Sequence, residues 1–306
     1  MKDSDDVDVL VIGAGPAGLT AATYLARFRR SVLVADGGKP RACWIPVSHN
    51  MPGFPEGITG DDILRRMTAQ AEEYGAGIEA GRVERLERDG ARFVARLNGR
   101  SLRARAVLLA TGVVDRKPAI PGVEDAIEAS IVRICPICDG YEATGKAVAV
   151  LSDDDLGLRE AAFIRTYSDQ VTLIHVGEGP PPSLEEAKRL GVEVLVGSVE
   201  ALSLTDGDVA CLVLGGEERH FACIYSALGT TANVDVAMQL GARCAVDGRL
   251  EVDDHQRTSV AGLWAAGDVV RGLNQIAVAT AEAAVAATAI HNDLRESEGM
   301  TVRDPV

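Results

Sequence analysis

The chain has 306 residues, room for two domains of ordinary size, and its 47% hydrophobic and 25% charged composition excludes disorder as the main state. Asp and Glu outnumber Lys and Arg by 45 to 31, and the net charge of −14 argues against nucleic acid as a partner, because phosphate contacts need a cationic face. The acidic start, Met1-Lys2-Asp3-Ser4-Asp5-Asp6, lacks the cationic and apolar regions of a secretory signal, and no stretch approaches the roughly 20 apolar residues that span a bilayer. No membrane partner is expected, and the expected compartment is the cytoplasm, where thiols stay reduced.

Val7 to Ile12 reads as a buried parallel strand. Gly13-Ala14-Gly15-Pro16-Ala17-Gly18 follows, then an Ala-rich helix over about Ala17 to Phe28 and a second strand, Ser31 to Ala35, ending at Asp36. Gly13 permits the tight turn, Gly15 lets the backbone approach a pyrophosphate, and Gly18 allows close helix–strand packing. The helix N-terminus offers unpaired N–H groups to phosphates. Asp36, 21 positions after Gly15, is placed to accept hydrogen bonds from a ribose. This dinucleotide fingerprint does not by itself separate FAD from NAD.

The segment Arg41 to Pro55 is dense in Pro, Gly and aromatics and contains Cys43, Trp44, His49 and Asn50. An apolar strand, Ala106 to Ala110, runs into Thr111-Gly112. Further on stands Arg133-Ile134-Cys135-Pro136-Ile137-Cys138-Asp139-Gly140. Two cysteines at this spacing close a disulfide or bind a metal. A zinc site normally needs four ligands, no second pair exists, and the five histidines are dispersed, so no metal is expected. Cys43, Cys211, Cys223 and Cys244 stand singly and read as small apolar filler. Next come a strand, Lys146 to Leu151, a helix, about Leu158 to Tyr167, and a strand, Gln170 to Val176. Near the end an apolar strand stops at Gly267-Asp268. Asn274-Gln275-Ile276 then precedes an Ala-rich helix through His291, whose Ala face reads as core or dimer interface.

Taken in order, the glycine turn, Ala110-Thr111-Gly112, Cys135-x-x-Cys138-Asp139 and Ala266-Gly267-Asp268 resemble the low-molecular-weight thioredoxin reductases, a class of FAD-dependent pyridine nucleotide-disulfide oxidoreductases. The resemblance runs from Val7 to about Leu294. It implies an α/β fold of two Rossmann-like, three-layer domains, the second inserted in the first. The FAD domain would be 1–114 plus 243–306 and the central domain 115–242, with hinges near Val114 to Pro118 and Gly241 to Val246. The FAD contacts it implies are Gly13, Gly15, Pro16, Ala17, Asp36, Gly37, Asn50, Val83, Ala110, Thr111, Gly112, Gly267, Asp268, Gln275 and Ile276. Trp44 and His49 depart from the pattern and are either flavin contacts or loop packing. The resemblance further implies that Cys138 faces the flavin and that Cys135 exchanges with the disulfide of a thioredoxin-like protein or a small molecule. Asp139 would shuttle the proton such exchange requires; as an alternative it is a turn residue before Gly140. A homodimer is implied as well.

One feature departs from that family. Its central domain binds NADPH through a Gly-x-Gly-x-x-Ala turn and a cluster of arginines after the second strand. Here the turn reads Ser152-Asp153-Asp154-Asp155-Leu156-Gly157, and the second strand leads to Gly177-Glu178-Gly179-Pro180-Pro181-Pro182. The pattern's two glycines are gone, three consecutive carboxylates occupy the loop and the arginines are absent, so NADPH use is not expected. Three relatives accommodate this: ferredoxin-dependent flavin thioredoxin reductases, diflavin proteins with a second FAD in the vacated site, and dithiol oxidases that pass electrons to oxygen. A flavin-binding redox sensor without turnover is a further alternative. For an acidic ferredoxin, the candidate docking groups are Arg27, Arg29 and Arg30, and Arg100, Arg103 and Arg105.

Overall fold

A computed structural model describes residues 6–205 and 209–302; the acidic stretch Met1 to Asp5 lies outside them. The first part of the chain runs β1 (Asp6–Ile12), α1 (Pro16–Arg27), β2 (Val32–Asp36), α2 (Gly60–Glu73), β3 (Gly77–Ala80), β4 (Val83–Asp89), β5 (Arg92–Leu97), β6 (Arg100–Leu109) and β7 (Val113–Asp115). The middle part runs α3 (Val123–Glu128), β8 (Val132–Arg133), α4 (Pro136–Asp139), β9 (Val148–Ser152), α5 (Leu156–Ile164), β10 (Val171–His175), α6 (Leu184–Leu190) and β11 (Glu193–Val196). After these come β12 (Val199–Thr205), β13 (Val209–Leu214), β14 (Glu217–Phe221) and β15 (Cys223–Ser226). The last part runs β16 (Thr230–Ala232), α7 (Asp235–Met238), β17 (Leu263–Ala265) and α8 (Ile276–Ser297).

Two units result. One ends at Val114 and resumes at Ala232; the other is Asp115–Thr231. The second crossing therefore falls at 231/232, earlier than the expected 242/243, and the expected hinge Gly241 to Val246 lies inside the first unit. The cause is apolar burial. Val236, Ala237 and Ala242 sit in one cluster with Leu10, Ile12, Leu86 and Leu109. Gln239 adds two hydrogen bonds to β4, accepting from Leu86 N at 2.9 Å and donating to Glu84 O at 3.1 Å. The crossing strands β7 and β16 pair with each other.

In the first unit the strands lie in the order β3-β2-β1-β6-β5-β4, and β17 pairs with the C-terminal half of β6. β1, β2, β3, β6 and β17 run parallel, so their C-terminal ends share one edge. One sheet face carries Val9, Val11 and Leu108 against Ala21, Ala22 and Leu25 of α1 and Ala283, Ala287 and Ile290 of α8. Alanines fill both helices where they meet, so the long Ala face of α8 is core within this unit. α1 begins at Pro16, whose missing N–H costs nothing at that position. α2 is capped by Thr59, whose hydroxyl accepts from Asp62 N at 3.1 Å.

The second unit has a parallel sheet in the order β11-β10-β9-β15-β8 and an antiparallel one, β12-β13-β14. β9 and β10 are buried along their length, as continuous apolar strands of a covered parallel sheet must be. Each unit thus has the parallel sheet and helices of a Rossmann-like fold. No helix among the described residues is long and apolar enough to cross a membrane.

Candidate active site

The first unit gathers its glycine motifs along the C-terminal edge of the sheet, where open α/β sheets bind ligands. Gly13 has φ +114°, and a Cβ there would lie 2.2 Å from Ala110 O. Gly13 and Ala110 are thus neighbours by necessity. Gly18 is equally constrained, since its Cβ would stand 1.8 Å from Gly13 O. Gly15 differs: the nearest protein atom to a Cβ would be Pro40 Cβ, at 3.7 Å. Its freedom from side chains is of no use to the chain itself and suits an outside group. As the N-cap of α1, Gly15 brings no side-chain cap to the helix N-terminus, so a pyrophosphate fits this cradle.

The other expected contacts converge on the same edge. Asp36 Oδ1 accepts from Gly38 N at 2.9 Å, and Asp36 O from Gly81 N at 2.7 Å, which brings the chain before Val83 alongside. The Val83 side chain is buried with Leu10, Ile12 and Ala35, so a contact from Val83 would have to come from its backbone. A Cβ on Gly37 or Gly112 would meet nothing within 4 Å. Gly267 has φ +81°, and its Cβ would lie 2.9 Å from Ala17 Cβ. Arg41 holds Asp268 Oδ2 at 3.3 Å. Asn50 Nδ2 donates to Gln275 Oε1 at 3.0 Å, tying the Pro-Gly loop to the residue before Ile276 at the start of the 22-residue helix α8. Trp44 and His49 are exposed in this structure.

Two residues here carried no signal in the sequence. Asn233 donates to Thr111 O at 2.9 Å and its carbonyl accepts from Thr111 Oγ1 at 2.7 Å, fixing the loop after β6. Glu282 Oε2 accepts from Gly267 N at 2.8 Å; burial raises its pKa, and the neighbouring Asp268 charge adds to that. Cys43 is held as a thiol, because burial and the Asp61 carboxylate push its pKa up.

In the second unit Cys135 and Cys138 form a disulfide, with Cα atoms 5.3 Å apart across the one-turn helix α4. A disulfide, the first of the two chemistries this spacing allows, is therefore present. Asp139, next in the chain, is not simply a turn residue. Its Oδ1 accepts from Tyr225 Oη at 2.8 Å, and its Oδ2 lies 3.8 Å from Arg133 Nε. Burial raises the Asp139 pKa, and the Arg133 cation opposes that. Gly140 is required where it stands, since a Cβ would lie 2.7 Å from the Tyr167 ring. Cys223 is buried, and burial pushes its thiol up.

The turn between β9 and α5 is filled by its own side chains. Ser152 Oγ accepts from Gly157 N at 3.1 Å and from Asp154 N at 3.3 Å. Asp154 Oδ1 accepts from Leu156 N at 2.8 Å. Amides that a pyrophosphate would need at the start of α5 therefore already have partners. Asp153 is paired with Arg116. One glycine of the turn survives with a packing role: a Cβ on Gly157 would stand 2.2 Å from Ser152 Cβ. At the next strand end His175 is buried, its Nε2 3.1 Å from Gly179 O. The arginines considered for an acidic donor are largely consumed. Arg30 and Arg105 pair with Glu298, Arg100 with Glu79 and Arg103 with Asp89.

Behind the turn, burial raises the Glu160 pKa to about 7, with help from the Asp154 charge. A carboxyl whose folded pKa lies above its unfolded value binds more protons when folded. It therefore costs stability as pH climbs from the unfolded pKa through about 7. Glu160→Gln is expected to stabilise the protein by about 1–3 kcal/mol above neutral pH and to be nearly neutral below about pH 4.5. Denaturant midpoints at two pH values check this.

A dinucleotide cradle at one sheet edge and a redox disulfide on an inserted parallel α/β unit define the class: flavin-linked disulfide oxidoreductases. The sequence matches the family described as pyridine nucleotide-disulphide oxidoreductase over residues 7–283, and the chain belongs to that family. It is 29% identical to a thioredoxin reductase of Bacillus subtilis (strain 168), with 97% of each chain covered. Among solved structures, HlmI superimposes with a TM-score of 0.90 at 29% identity, covering 98% of this chain and 96% of that one. Thioredoxin reductase from Streptococcus pyogenes MGAS5005 gives 0.87 at 25% identity, covering 96% and 100%. The fold is that of the thioredoxin reductases, and family membership makes the chain an FAD-dependent disulfide oxidoreductase.

Proposed function

We propose that this protein exchanges electrons between FAD and a partner disulfide through Cys135 and Cys138, and that it does not draw them from NADPH. When bound, FAD supplies two-electron redox chemistry. Gly13, Gly15, Pro16, Ala17, Asp36 and Gly37 would hold its ADP part. Ala110, Thr111, Gly112, Gly267 and Asp268 would hold its middle, and Asn50, Gln275 and Ile276 its ring end. Val83 would contribute its backbone. Cys135 attacks or releases the partner, a thioredoxin-like protein or a small disulfide, Cys138 faces the flavin, and Asp139 moves the proton.

The observation that supports NADPH independence is the self-filled turn, in which Asp154 takes the Leu156 amide and Ser152 the Gly157 amide. A dinucleotide would have to displace a carboxylate from inside the chain and then sit beside it, at a Coulomb cost of several kcal/mol near a surface. The same filling opposes the pyrophosphate of a second FAD. Of the donors considered, a one-electron carrier of the ferredoxin type fits this filling best, docking elsewhere than at the paired arginines, with a substrate dithiol and oxygen as the alternative couple. The protein is further proposed to act as a cytoplasmic homodimer. Its half-exposed Tyr24 and Val285 border one shallow depression, and sedimentation is expected to report a dimer; a monomer would overturn this part.

The experiment is anaerobic mixing of the FAD-loaded protein with NADPH, watched at the flavin band. The band is expected to persist with NADPH and to bleach with dithionite, which should deliver about four electrons per chain, two to FAD and two to the disulfide. Rapid bleaching by NADPH would sink the proposal. An uptake of about two electrons would favour a flavoprotein without a working disulfide. Oxygen uptake with a small dithiol tests the oxidase alternative.

A further inference from the structure

We propose that Arg133 and Tyr225 are positioning residues that hold the Asp139 carboxylate as the proton acceptor for thiol–disulfide exchange at Cys135–Cys138. This rests on the proton-moving role given above to Asp139.

The three groups meet because of strand register. β8 and β15 run parallel with Tyr225 opposite Arg133, and Asp139 ends the short helix that follows β8. Tyr225 is fully buried, so its hydroxyl must find partners inside the protein. It has them: Asp139 Oδ1 at 2.8 Å, Asp139 O at 3.1 Å and Arg133 Nη1 at 3.5 Å. Arg133 Nη1 also donates to Asp139 O at 3.2 Å, and Arg133 Nε to Ser130 O at 3.2 Å.

Donor chemistry fixes the direction of the chain of bonds. A guanidinium only donates, so the Tyr225 oxygen accepts from Arg133 and its single proton goes to Asp139. Asp139 Oδ1 is thereby an acceptor. A proton taken up by the carboxyl is directed to Oδ2, the oxygen nearer the cation at 3.8 Å, where it is readily given up again. Among the described residues, the other charged or titratable groups at this cluster are Glu142, on the turn after α4, Cys223, two residues before Tyr225, and Lys146, which acts on Cys223. Burial, and to a lesser degree Glu142, oppose ionisation of Asp139, and Arg133 and Tyr225 act against both.

The exchange then balances as follows. A thiol of an incoming dithiol gives its proton to Asp139 Oδ2 while its sulfur bonds to Cys135 Sγ. The Cys135–Cys138 bond breaks, and Asp139 passes the proton to the Cys138 thiolate. The second thiol of the dithiol attacks the mixed disulfide and its proton goes to Cys135. The dithiol is oxidised to a disulfide and the cysteine pair reduced.

The test uses the FAD-loaded protein and dithiothreitol. The rate at which Cys135–Cys138 opens is followed across pH by alkylation trapping and mass spectrometry. Removing the Tyr225 hydroxyl takes a donor from the carboxylate, so Tyr225→Phe is expected to move the acid limb of the profile upward by about one pH unit. Arg133→Lys keeps a cation but loses the fork, and is expected to move the limb in the same direction by less. A merely structural role would lower the rate at all pH values without moving the limb. An unmoved limb in both variants, with Asp139→Asn abolishing it, overturns the inference and leaves the role of Asp139 standing. A limb that survives Asp139→Asn overturns the role of Asp139 itself.

Discussion

Cys138→Ser is expected to reduce turnover of a disulfide substrate by on the order of a thousandfold or more, because the exchange has no second route once one sulfur is gone. Electron uptake from dithionite should fall from about four to about two per chain. The variant should also trap its partner as a stable mixed disulfide on Cys135, whereas Cys135→Ser should trap none. The opposite pattern would exchange the roles of the two cysteines. Both variants should still bind FAD, since the expected FAD contacts belong to the first unit and the cysteine pair to the second.

Gly13→Val and Gly15→Ala should separate two effects that the glycine motif combines. At Gly13 any side chain meets the Ala110 carbonyl and must adopt φ +114°, a region that β-branched residues avoid. Gly13→Val is expected to lower the unfolding free energy by roughly 3–5 kcal/mol and to yield protein without flavin. At Gly15 a methyl group meets only Pro40 Cβ at ordinary van der Waals distance. Gly15→Ala should therefore leave the thermal midpoint of the FAD-free protein unchanged while weakening FAD binding at least about tenfold. Measuring Tm on flavin-stripped protein and FAD affinity by fluorescence checks both. Retained FAD affinity in Gly15→Ala would show that the cradle is not where the pyrophosphate sits.

The filled turn of the second unit makes the contrast within one chain. Both units have a strand, a turn and a helix at this place. In the first, the N-cap of α1 is Gly15, which has no side chain to fill the turn. In the second, Ser152 and Asp154 occupy the equivalent amides. A carboxylate at a helix N-terminus is a stabilising cap. An acidic side chain thus supplies at the second turn the kind of interaction that a phosphate would supply at the first.

How far the sequence alone reached follows from the range of the forces involved. The strand–glycine–helix–strand order, the need for glycine at 13 and 18, the Cys135–Cys138 pair and the altered turn at Ser152 to Gly157 were legible, because periodicity and turn chemistry act over a few residues. Strand pairing over long separations was not. It brings Tyr225 to Asp139 across 86 residues and Asn233 to Thr111 across 122. It buries the side chain of Val83 and pairs the arginines that looked available for a partner. The chain crossing at 231/232 was decided the same way, by which core Val236 and Ala237 could enter. Residue types and their spacing along the chain set which chemistry is present. The groups that surround it come from contacts between distant strands, which depend on register and burial, and no local pattern encodes either.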